Sequence, residues 1–512
     1  MTFAVALREG DEPGRVAIDG GGRAHVALRR GGAVLTLDLT SGAVLARREV
    51  CAAPRGVAWS AERGDVYVAC AGGELVAMPP AGGAPTRTTR LDLDLRDVVP
   101  MGDRLLVTRL RSAETLVVDT TGAVTTRVAM TAPTGTAPGV ARRAVPSPAG
   151  GAWVLHQRAG DAPVQVTSTG YYRAATPSLE CAGTDGVTRP GLTWVRPPLP
   201  MVTLPDIPSA ALAVDVAVDA NATRVAVAVP GALGATTAFG EAPVTQLRVF
   251  STTQTSRCLA VDATAQPSDG EVVAVAFAAS RGLVAQTRAP AALFLADAGV
   301  TVALGAPLRD DPGHRLFHTN PTGFVACATC HVEGEDDGRV WTFAPASPRR
   351  TPYLRGGILG TEPFHWAGDL ADIDALVREV MVRGMRAPAP DAAGVQALAR
   401  WVDALPSRAA PAVAPDAVAR GAALFRDPAV GCAGCHDGPH LTNGQTVDVG
   451  TGGSFQVPPL RGLAWHAPYL HNGCAATLRE RFSACGGGDQ HGHTSQLSAA
   501  QLDDLAAYLA SL

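Results

Sequence analysis

The chain has 512 residues, more than a single hydrophobic core usually organises, so we expect at least two domains. Its formal net charge is −4, and its charged residues, 18% of the total, alternate in sign along the sequence, which excludes a basic patch for nucleic acid. No apolar run reaches the length of a membrane span, so we expect no membrane-spanning segment.

Residues 14–305 predict a β domain. Short runs of alternating apolar and polar residues are separated by Gly, Pro, Asp and Asn. A strand, a tight turn and further strands recur, and the first three repeats begin about 41 residues apart, which is typical of a four-stranded propeller blade. The repeats cover residues 15–39, 55–78, 96–119, 143–166, 212–250 and 271–296.

We therefore predict an N-terminal β-propeller of seven blades, or of six if residues 171–208 form one long loop instead of a degenerate seventh blade. In period and pattern the region resembles the seven-bladed propellers of the YVTN type, and a pair of β-sandwiches is the competing fold. Propeller faces bind partners, so this domain is expected to dock a partner. His156 interrupts a predicted strand and is interpreted as a structural histidine, with a contact to the C-terminal domain or a substrate as the alternative.

Two short motifs in the last two-fifths of the chain indicate covalently attached haem. The sequence is CATCH at 327–331 and CAGCH at 432–436. In such a motif each thiol adds to a haem vinyl group, and the histidine is the proximal iron ligand. A zinc ribbon would need closely spaced Cys-x-x-Cys pairs without a histidine after both. We predict a c-type cytochrome with two haem c groups, bound by Cys327, Cys330, His331, Cys432, Cys435 and His436.

Six further cysteines form an even set that suits disulfides in an oxidising compartment. Proximity in sequence suggests Cys51 with Cys70 and Cys474 with Cys485, which leaves Cys181 with Cys258; free buried thiols are the alternative. Haem c is normally attached outside the cytoplasm, so we expect a periplasmic or otherwise exported protein. Residues 1–10 lack the basic and apolar regions of an export leader, and a leader is expected to be missing from this chain.

The region around the two motifs contains an internal duplication at an offset of 105 residues. GHRLF at 313–317 precedes the first motif as GAALF at 421–425 precedes the second. TPYLRG at 351–356 corresponds to VPPLRG at 457–462, and PFHWAG at 363–368 corresponds to PYLHNG at 468–473. Helical periodicity covers 372–384 and 392–405 in the first half and 498–512 in the second, where Ser498 is a predicted helix cap. We expect two cytochrome c folds in tandem.

The predicted fold class is a multidomain β and α protein, an N-terminal β-propeller followed by a tandem pair of all-α cytochrome c folds. The expected domains are residues 1–305 for the propeller, 306–408 for the first haem and 409–512 for the second haem.

Residues 306–512 resemble the bacterial dihaem cytochrome c peroxidases, a family that includes the MauG-type enzymes. The likeness rests on the paired haem motifs, on PPLRG followed by APYLHNG at 467–473, and on ATL at 476–478, which is expected to open a helix. The resemblance implies that Trp366 lies between the haems and carries electrons or holes; packing beneath a haem is the alternative. It also implies that His471 lies near a haem without binding iron, and it suggests a calcium ion between the haem domains.

The distal ligand of the first haem is expected among the residues that follow its motif, and it decides whether that iron can react. The family pattern favours Met385, with Met381 or His365 as alternatives and core packing of both methionines as another. The acidic group that would assist O–O cleavage stays unassigned. Four acids follow the motif, and a solvated acidic loop explains them equally well: Glu333, Glu335, Asp336 and Asp337.

No methionine follows the second motif, so the methionine ligand that the resemblance implies is absent. His491, after a glycine-rich run, is the favoured distal ligand of the second haem. The alternatives are an open iron, another ligand, or one of the other histidines in this half: His440, His466, His471 and His493.

Two functions remain open. In the first, hydrogen peroxide or another small oxidant reacts at one haem, oxidising equivalents pass through Trp366, and a reductant or partner protein docked on the propeller is oxidised. In the second, both haems are six-coordinate and the chain is an electron carrier or sensor. The missing methionine favours the first. A propeller dehydrogenase is less favoured because residues 1–305 carry no visible cofactor motif.

Overall fold

The computed structural model describes residues 4–166, 170, 172, 186–208, 210–230, 236–237, 240–241, 246–254, 256, 258–262, 264–319, 325–344 and 348–512. The chain divides into two compact units. The first contains residues 1–161, 176–310 and 319–325, and the second contains 162–175, 311–318 and 326–512. Within the described ranges, no helix has the length and apolar character needed to cross a bilayer.

The chain up to residue 303 forms short strands. These strands are β1 Pro13–Ile18, β2 Arg23–Leu28, β3 Ala33–Asp38, β4 Val44–Glu49, β5 Pro54–Ser60, β6 Asp65–Cys70, β7 Glu74–Met78, β8 Arg87–Arg90, β9 Leu95–Met101, β10 Arg104–Arg109, β11 Thr115–Val118, β12 Val124–Val128, β13 Thr136–Pro146, β14 Ala152–Gly160, β15 Val164–Gln165, β16 Thr188–Arg196, β17 Leu199–Thr203, β18 Asp215–Val218, β19 Arg224–Ala228, β20 Thr236–Thr237, β21 Gly240–Glu241, β22 Leu247–Ser251, β23 Glu271–Ala278, β24 Gly282–Arg288, β25 Ala292–Leu295 and β26 Val300–Ala303.

Most of these strands form six antiparallel sheets in chain order. Sheet 1 is β1–β4, sheet 2 is β5–β8, sheet 3 is β9–β12, sheet 4 is β13, β14, β16 and β17, sheet 5 is β18, β19 and β22, and sheet 6 is β23–β26. The first strand of each sheet packs against the first strand of the next sheet. Sheets that follow one another in this way have the organisation of propeller blades.

Apolar side chains fill the space between consecutive sheets. Successive residues of a strand point to opposite faces, so Leu105 packs towards sheet 2 while Leu106 packs towards sheet 4. In the same way, Val154 faces sheet 3 and Leu155 faces sheet 5. The middle strands are therefore buried on both faces, and the stacking of sheets stabilises the unit.

Buried ion pairs join the first strands of four sheets. Arg15 of β1 lies 3.2 Å from Asp97 of β9 and 4.0 Å from Asp215 of β18. Arg143 of β13 pairs with the same two acids at 3.3 and 3.0 Å. Burial disfavours the charged form of Asp97, but Arg15, Arg143 and Arg96 outweigh that effect and lower its pKa. These first strands therefore surround a shared charged centre.

The predicted repeats are largely confirmed, because each begins in or just before the first strand of one of the six sheets. The end of the fourth repeat, predicted at residue 166, was wrong. Its third and fourth strands are Thr188–Arg196 and Leu199–Thr203, inside the segment predicted to be a long loop or a seventh blade. Strand β15 instead pairs with a strand of the second unit, to which it belongs. The described residues hold six blade-like sheets, so a seventh blade stays a prediction.

His156 of β14 is buried, and its Nε2 lies 2.9 Å from the hydroxyl of Thr193. Burial, and then the charge of Arg158, lower its pKa to about 3. A neutral histidine that shares a hydrogen bond inside a sheet fits the structural interpretation.

The second unit contains two similar halves. Its helices are α1 Pro312–His318, α2 Cys327–Cys330, α3 Ile373–Leu376 with a π-helical continuation Val377–Gly384, α4 Ala392–Asp403, α5 Pro415–Arg426 and α6 Ala499–Ala510. Its further strands are β27 Val340–Ala344, β28 Pro348–Arg350, β29 Thr446–Asp448 and β30 Ser454–Gln456. Single turns of 3₁₀ helix lie at Val332–Gly334, Cys432–Gly434, Leu463–Trp465, Glu480–Phe482, Ala484–Gly486 and Gly488–His491.

Each half has one helix crossing at which a glycine allows close approach. A Cβ at Gly313 of α1 would lie 2.2 Å from the carbonyl oxygen of Ala397 in α4. A Cβ at Gly421 of α5 would lie 2.0 Å from the carbonyl oxygen of Asp504 in α6. The isolated bridges Phe364–Leu370 and Tyr469–Ala475 also correspond. The internal duplication predicted from the sequence is confirmed.

The two halves contact one another reciprocally. The amide of Arg350 donates to the carbonyl of His471 at 2.6 Å, and the amide of Gln456 donates to the carbonyl of Trp366 at 2.9 Å. Arg350 and Gln456 are the last residues of β28 and β30, and Trp366 and His471 occupy corresponding positions of the duplication. Such an exchange of equivalent contacts is the signature of a pseudo-two-fold axis.

The helix predictions for the second unit are confirmed with one exception. Ser498 caps α6, and its hydroxyl accepts from the amide of Gln501. No α-helix opens at 476–478; that segment leads only into the 3₁₀ turn Glu480–Phe482. The resemblance therefore misplaced a helix here.

Two of the three expected disulfides are confirmed, Cys51–Cys70 and Cys474–Cys485. Cys258 is disulfide-bonded, and its expected partner Cys181 lies outside the described residues.

We expect Gly421→Ala to destabilise the protein by about 1–3 kcal/mol, because the new methyl group would overlap the α6 backbone. Alanine is otherwise a better helix former than glycine, so without the close approach the substitution would raise the stability. The sign of the change in unfolding free energy therefore tests the helix crossing. Denaturant unfolding measures the change, and Ala423→Ser on the exposed side of α5 is the control, with an effect within about 0.5 kcal/mol. Equal stability of the two variants would contradict the close approach.

Candidate haem site

The two haem motifs lie on short helical turns that present their thiols and histidines together. The first forms α2, and the second forms the 3₁₀ turn Cys432–Gly434. The four motif cysteines form no disulfide in the structure: Cys327, Cys330, Cys432 and Cys435. Reduced thiols next to a histidine are the donors that covalent attachment of haem requires.

The second motif has a histidine facing it. The ring centres of His436 and His491 are 6.4 Å apart, and the ring planes differ by 31°. An imidazole nitrogen binds a metal at about 2 Å and lies about 1 Å from its ring centre, so two imidazoles on opposite sides of one ion have centres about 6 Å apart. The pair therefore has the spacing of two axial ligands.

Backbone carbonyls orient both rings. His436 Nδ1 lies 3.0 Å from the carbonyl of Leu441, and His491 Nδ1 lies 3.1 Å from that of Gly486. A carbonyl can only accept, so each Nδ1 carries the proton and each Nε2 keeps its lone pair for a metal. Burial lowers the pKa of His436 to about 4, and burial with the nearby Arg481 charge lowers that of His491 to about 3. Both rings are neutral near pH 7.

Close packing shapes the loop that carries His491. A Cβ at Gly486 would lie 1.8 Å from the carbonyl oxygen of Arg481, and one at Gly487 would lie 1.8 Å from that of Val449. Gly487 also has a φ of +90°, which other residues rarely adopt. The guanidinium of Arg481 donates to the carbonyl of His491 at 2.5 Å. The glycines that suggested a folded-back loop in the sequence are thus required by backbone contacts.

A cavity of about 700 Å³ surrounds this pair. The second half contributes Cys432, Cys435, His436, His491 and His493 to its wall, and the first half contributes Tyr353, Ile358, His365 and Trp366. Its volume lies within the range of small-molecule and cofactor sites, about 300–1,000 Å³. Thiols, two neutral imidazoles and apolar walls together fit a covalently bound haem.

Residues 418–512 match the family model of cytochrome c. They form a cytochrome c domain. The cytochrome c family implies covalently bound haem c with iron for this domain, which contains the CAGCH motif.

The cytochrome also resembles proteins of known identity. Hydrazine synthase subunit gamma of Kuenenia stuttgartiensis is 28% identical over 257 residues, which cover 37% of this chain and 72% of that protein. A xenon-pressurised structure of Kuenenia stuttgartiensis hydrazine synthase is 24% identical and covers 40% of this chain and 89% of that chain, with a TM-score of 0.36. The Myceliophteria thermophila Cps50 (Swd1) β-propeller domain is 11% identical and covers 54% and 80%, also with a TM-score of 0.36.

The first motif has a different proximal environment from that of the cytochrome c domain. His331 Nδ1 lies 3.3 Å from the carbonyl of Glu335, so its Nε2 is also available. The side chain of Glu335 is buried and pairs with Arg408, which lies 3.2 Å from Glu333. Arg355 donates to the carbonyl of Glu333 at 3.0 Å.

The solvated acidic loop considered for residues 333–337 is wrong. Glu335, Asp336 and Asp337 are at most 3% exposed, and Asp336 lies 2.9 Å from Arg350. Burial raises the pKa of Asp337 to about 6. All three acids are enclosed, and Glu335 and Asp336 pair with Arg408 and Arg350, which lie outside the local sequence HVEGEDD.

Both candidate methionine ligands of the first haem are buried. Met381 lies in the π-helical segment, and Met385 follows it, with its amide donating to the carbonyl of Val380 at 2.9 Å. Met385 as iron ligand stays a prediction. His365 has a φ of 69°, lines the cavity of the second half and lies 3.2 Å from Asp369.

Trp366 and His471 lie against each other where the two halves meet. Their ring centres are 6.2 Å apart, and Trp366 Nε1 donates to the carbonyl of Arg350 at 2.7 Å. His471 is buried and stacks on Phe455 at 3.9 Å. Burial, and then the charge of Arg349, lower its pKa to about 4. Both residues line the cavity.

Among the described side chains, the group able to supply three metal ligands is Cys51, Cys70 and Glu74, and its two sulfurs form a disulfide. The calcium ion suggested by the resemblance stays a prediction.

Two arginines were missed by sequence reasoning, Arg408 and Arg481. Arg408 lies in the linker PSRAAP, where the sequence reads as exposed loop, and Arg481 lies in LRERF, in the helix that was expected to open at 476–478. Their partners are far away in sequence or are backbone carbonyls, which leave no local pattern.

We expect Arg408→Met to destabilise the protein by about 3–5 kcal/mol, because it leaves the buried carboxylate of Glu335 without its partner. Denaturant unfolding gives the value. Arg420→Met is the matched control, since Arg420 forms an exposed ion pair with Asp504 and its loss should matter far less. Equal effects of the two substitutions would show that the buried pair has no special role.

Proposed function

We propose that the chain is an exported dihaem c oxidoreductase in which the second haem transfers electrons and the first reacts with a small oxidant such as hydrogen peroxide. The observation that carries the proposal is the asymmetry of the two sites. The second motif faces a histidine at the spacing of an axial ligand pair, whereas the first has buried methionines as its candidate ligands. Weakly held sulfur leaves an iron more accessible than a second imidazole does.

The residues of the second site favour electron transfer. His436 and His491, both neutral and each fixed through Nδ1, would hold a haem iron, which would supply one-electron transfer there. The surrounding cavity is largely apolar, which limits the solvent reorganisation that accompanies a change of charge.

Trp366 is our proposed connection between the sites. It corresponds to His471 in the duplication, and the two rings meet near the pseudo-two-fold axis, where a residue lies similarly with respect to both motifs. Trp366 Nε1 bonds to the carbonyl of Arg350, whose side chain pairs with Asp336 in the loop after His331. The packing that holds Trp366 therefore reaches the proximal loop of the first site.

A bound haem supplies a redox iron that can meet the oxidant when a coordination position is open. Reduction of one peroxide consumes two electrons and two protons and yields two water molecules. The electrons come from a reductant or partner protein, for which the propeller is the proposed docking platform. The disulfides Cys51–Cys70 and Cys474–Cys485 support an oxidising, periplasmic location.

The similarity to hydrazine synthase subunit gamma favours a second candidate chemistry, that of a small nitrogen compound such as hydrazine, at the same first site. A pure electron carrier with two six-coordinate haems is the other class of function. Low-temperature EPR of the resting ferric protein, followed by titration with peroxide or hydrazine, separates these cases. One open or weakly coordinated iron that consumes an oxidant supports the proposal, and two low-spin irons inert to both leave a carrier.

We expect His491→Ala to convert the second haem from low spin to high spin and to let its ferrous form bind carbon monoxide. His493→Ala, two residues away in the same loop, is the control and should leave the spectrum unchanged. The reverse pattern would assign His493 as the ligand, and no change in either variant would exclude both.

We expect Trp366→Phe to slow electron transfer between the haems on the order of tenfold, about 1.4 kcal/mol of barrier, because phenylalanine packs similarly but is much harder to oxidise. Stopped-flow absorption after rapid oxidation measures the rate. Trp465→Phe is the matched control, since Trp465 is buried and, like Trp366, donates to a backbone carbonyl. Equal rates in both variants would make Trp366 a packing residue.

A further inference from the structure

The loop that carries His491 is tied covalently to the segment after His471. Cys474 follows the turn His471–Gly473, and it is bonded to Cys485. Cys485 immediately precedes Gly486, whose carbonyl accepts from His491 Nδ1 at 3.1 Å. The disulfide thus lies one residue from the group that orients the proposed distal ligand.

We propose that the Cys474–Cys485 disulfide is a positioning element that keeps His491 on the iron of the second haem. This inference rests on the proposed role of His491 as an iron ligand. The disulfide would set whether that iron is closed to small ligands, without itself contacting the haem.

The composition of the loop explains why such a tie is needed. Residues 486–488 are three glycines, which lose more backbone freedom on ordering than other residues do. Their backbone fits tightly against Arg481 and Val449, but glycine has no side chain to hold it there. The guanidinium of Arg481 bonds to the carbonyl of His491, and Asp489 accepts from the amide of Ser495 at 2.9 Å. The disulfide fixes the loop at Cys485, directly before the glycines, whereas these two hydrogen bonds hold the loop at residues after the glycines.

The corresponding part of the first half has no such link. Position 369, which corresponds to Cys474, is an aspartate that lies 3.2 Å from His365. The disulfide is therefore specific to the half in which the histidine pair occurs.

The test compares the holoprotein with the double variant Cys474→Ser/Cys485→Ser. We expect a mixed population in which the fraction of second haem that binds carbon monoxide rises at least tenfold over the wild type, with a matching high-spin EPR signal. Cys51→Ser/Cys70→Ser removes the other described disulfide and is the matched control, with an unchanged spectrum at both haems. A loss of global stability alone would affect both double variants without this spectral difference.

A second measurement breaks the disulfide only after the protein has folded, so that folding itself takes place with the bond intact. Cys474 is exposed, so a dithiol can reduce the bond in the folded holoprotein, giving two thiols for two electrons and two protons while the dithiol becomes a disulfide. Alkylation then traps the thiols, mass spectrometry identifies them, and carbon monoxide binding is measured as before.

The outcomes separate the inference from the proposed function. Suppose that His491→Ala binds carbon monoxide but the protein without the disulfide stays low spin and does not bind it. This result would overturn the positioning role of the disulfide alone. If His491→Ala leaves the spectrum and the carbon monoxide binding of the second haem unchanged, His491 is not the iron ligand, and the inference fails with it.

Discussion

A hydrogen bond from histidine Nδ1 to a backbone carbonyl is the constraint on which the second unit depends. It occurs at His331, His436 and His491, and in each case it leaves Nε2 as the nitrogen that can bind iron. The direction of the ring is then set by the backbone that carries the carbonyl. Buried arginines hold that backbone at Glu335, and close glycine packing holds it at Gly486. The haem motifs identify His331 and His436 as candidate iron ligands, but residues outside the motifs fix the direction of the rings.

The two halves keep the same scaffold and differ in their surroundings. The glycine at the helix crossing, the isolated bridge and the reciprocal hydrogen bonds occur in both. The proximal carbonyl belongs to a paired glutamate in one half and to a leucine in the other, and Trp366 in one corresponds to His471 in the other. The two halves therefore share the contacts that join them, while the residues around each haem motif differ. In the proposed function, that difference closes one site and leaves the other reactive.

The sequence was most informative where a pattern is local. The haem motif of the cytochrome c domain, two disulfides, most of the strand repeats and the capped helix α6 all depend on residues near each other in the chain, and they were predicted correctly. The duplication pointed to equivalent residues, but not to the axis that brings Trp366 against His471. The acids at 333–337 were misread because their arginines come from residues 350 and 408. Strands β16 and β17 were missed because a long excursion separates them from β14, and the repeat period is lost there.

Residues 162–175 belong to the second unit, although they lie in sequence between strands of the first unit. The chain leaves the first unit after β14, supplies β15 to a parallel pair with β27 in the second unit, and returns to complete sheet 4. Tyr172 of the same excursion donates its amide to the carbonyl of Gly384 at 3.2 Å. A fragment that begins at residue 306 would therefore expose the edge of β27 and lose the backbone contact at Gly384, although it contains both haem motifs. The second unit is therefore built partly from residues 162–175, which such a fragment would lack.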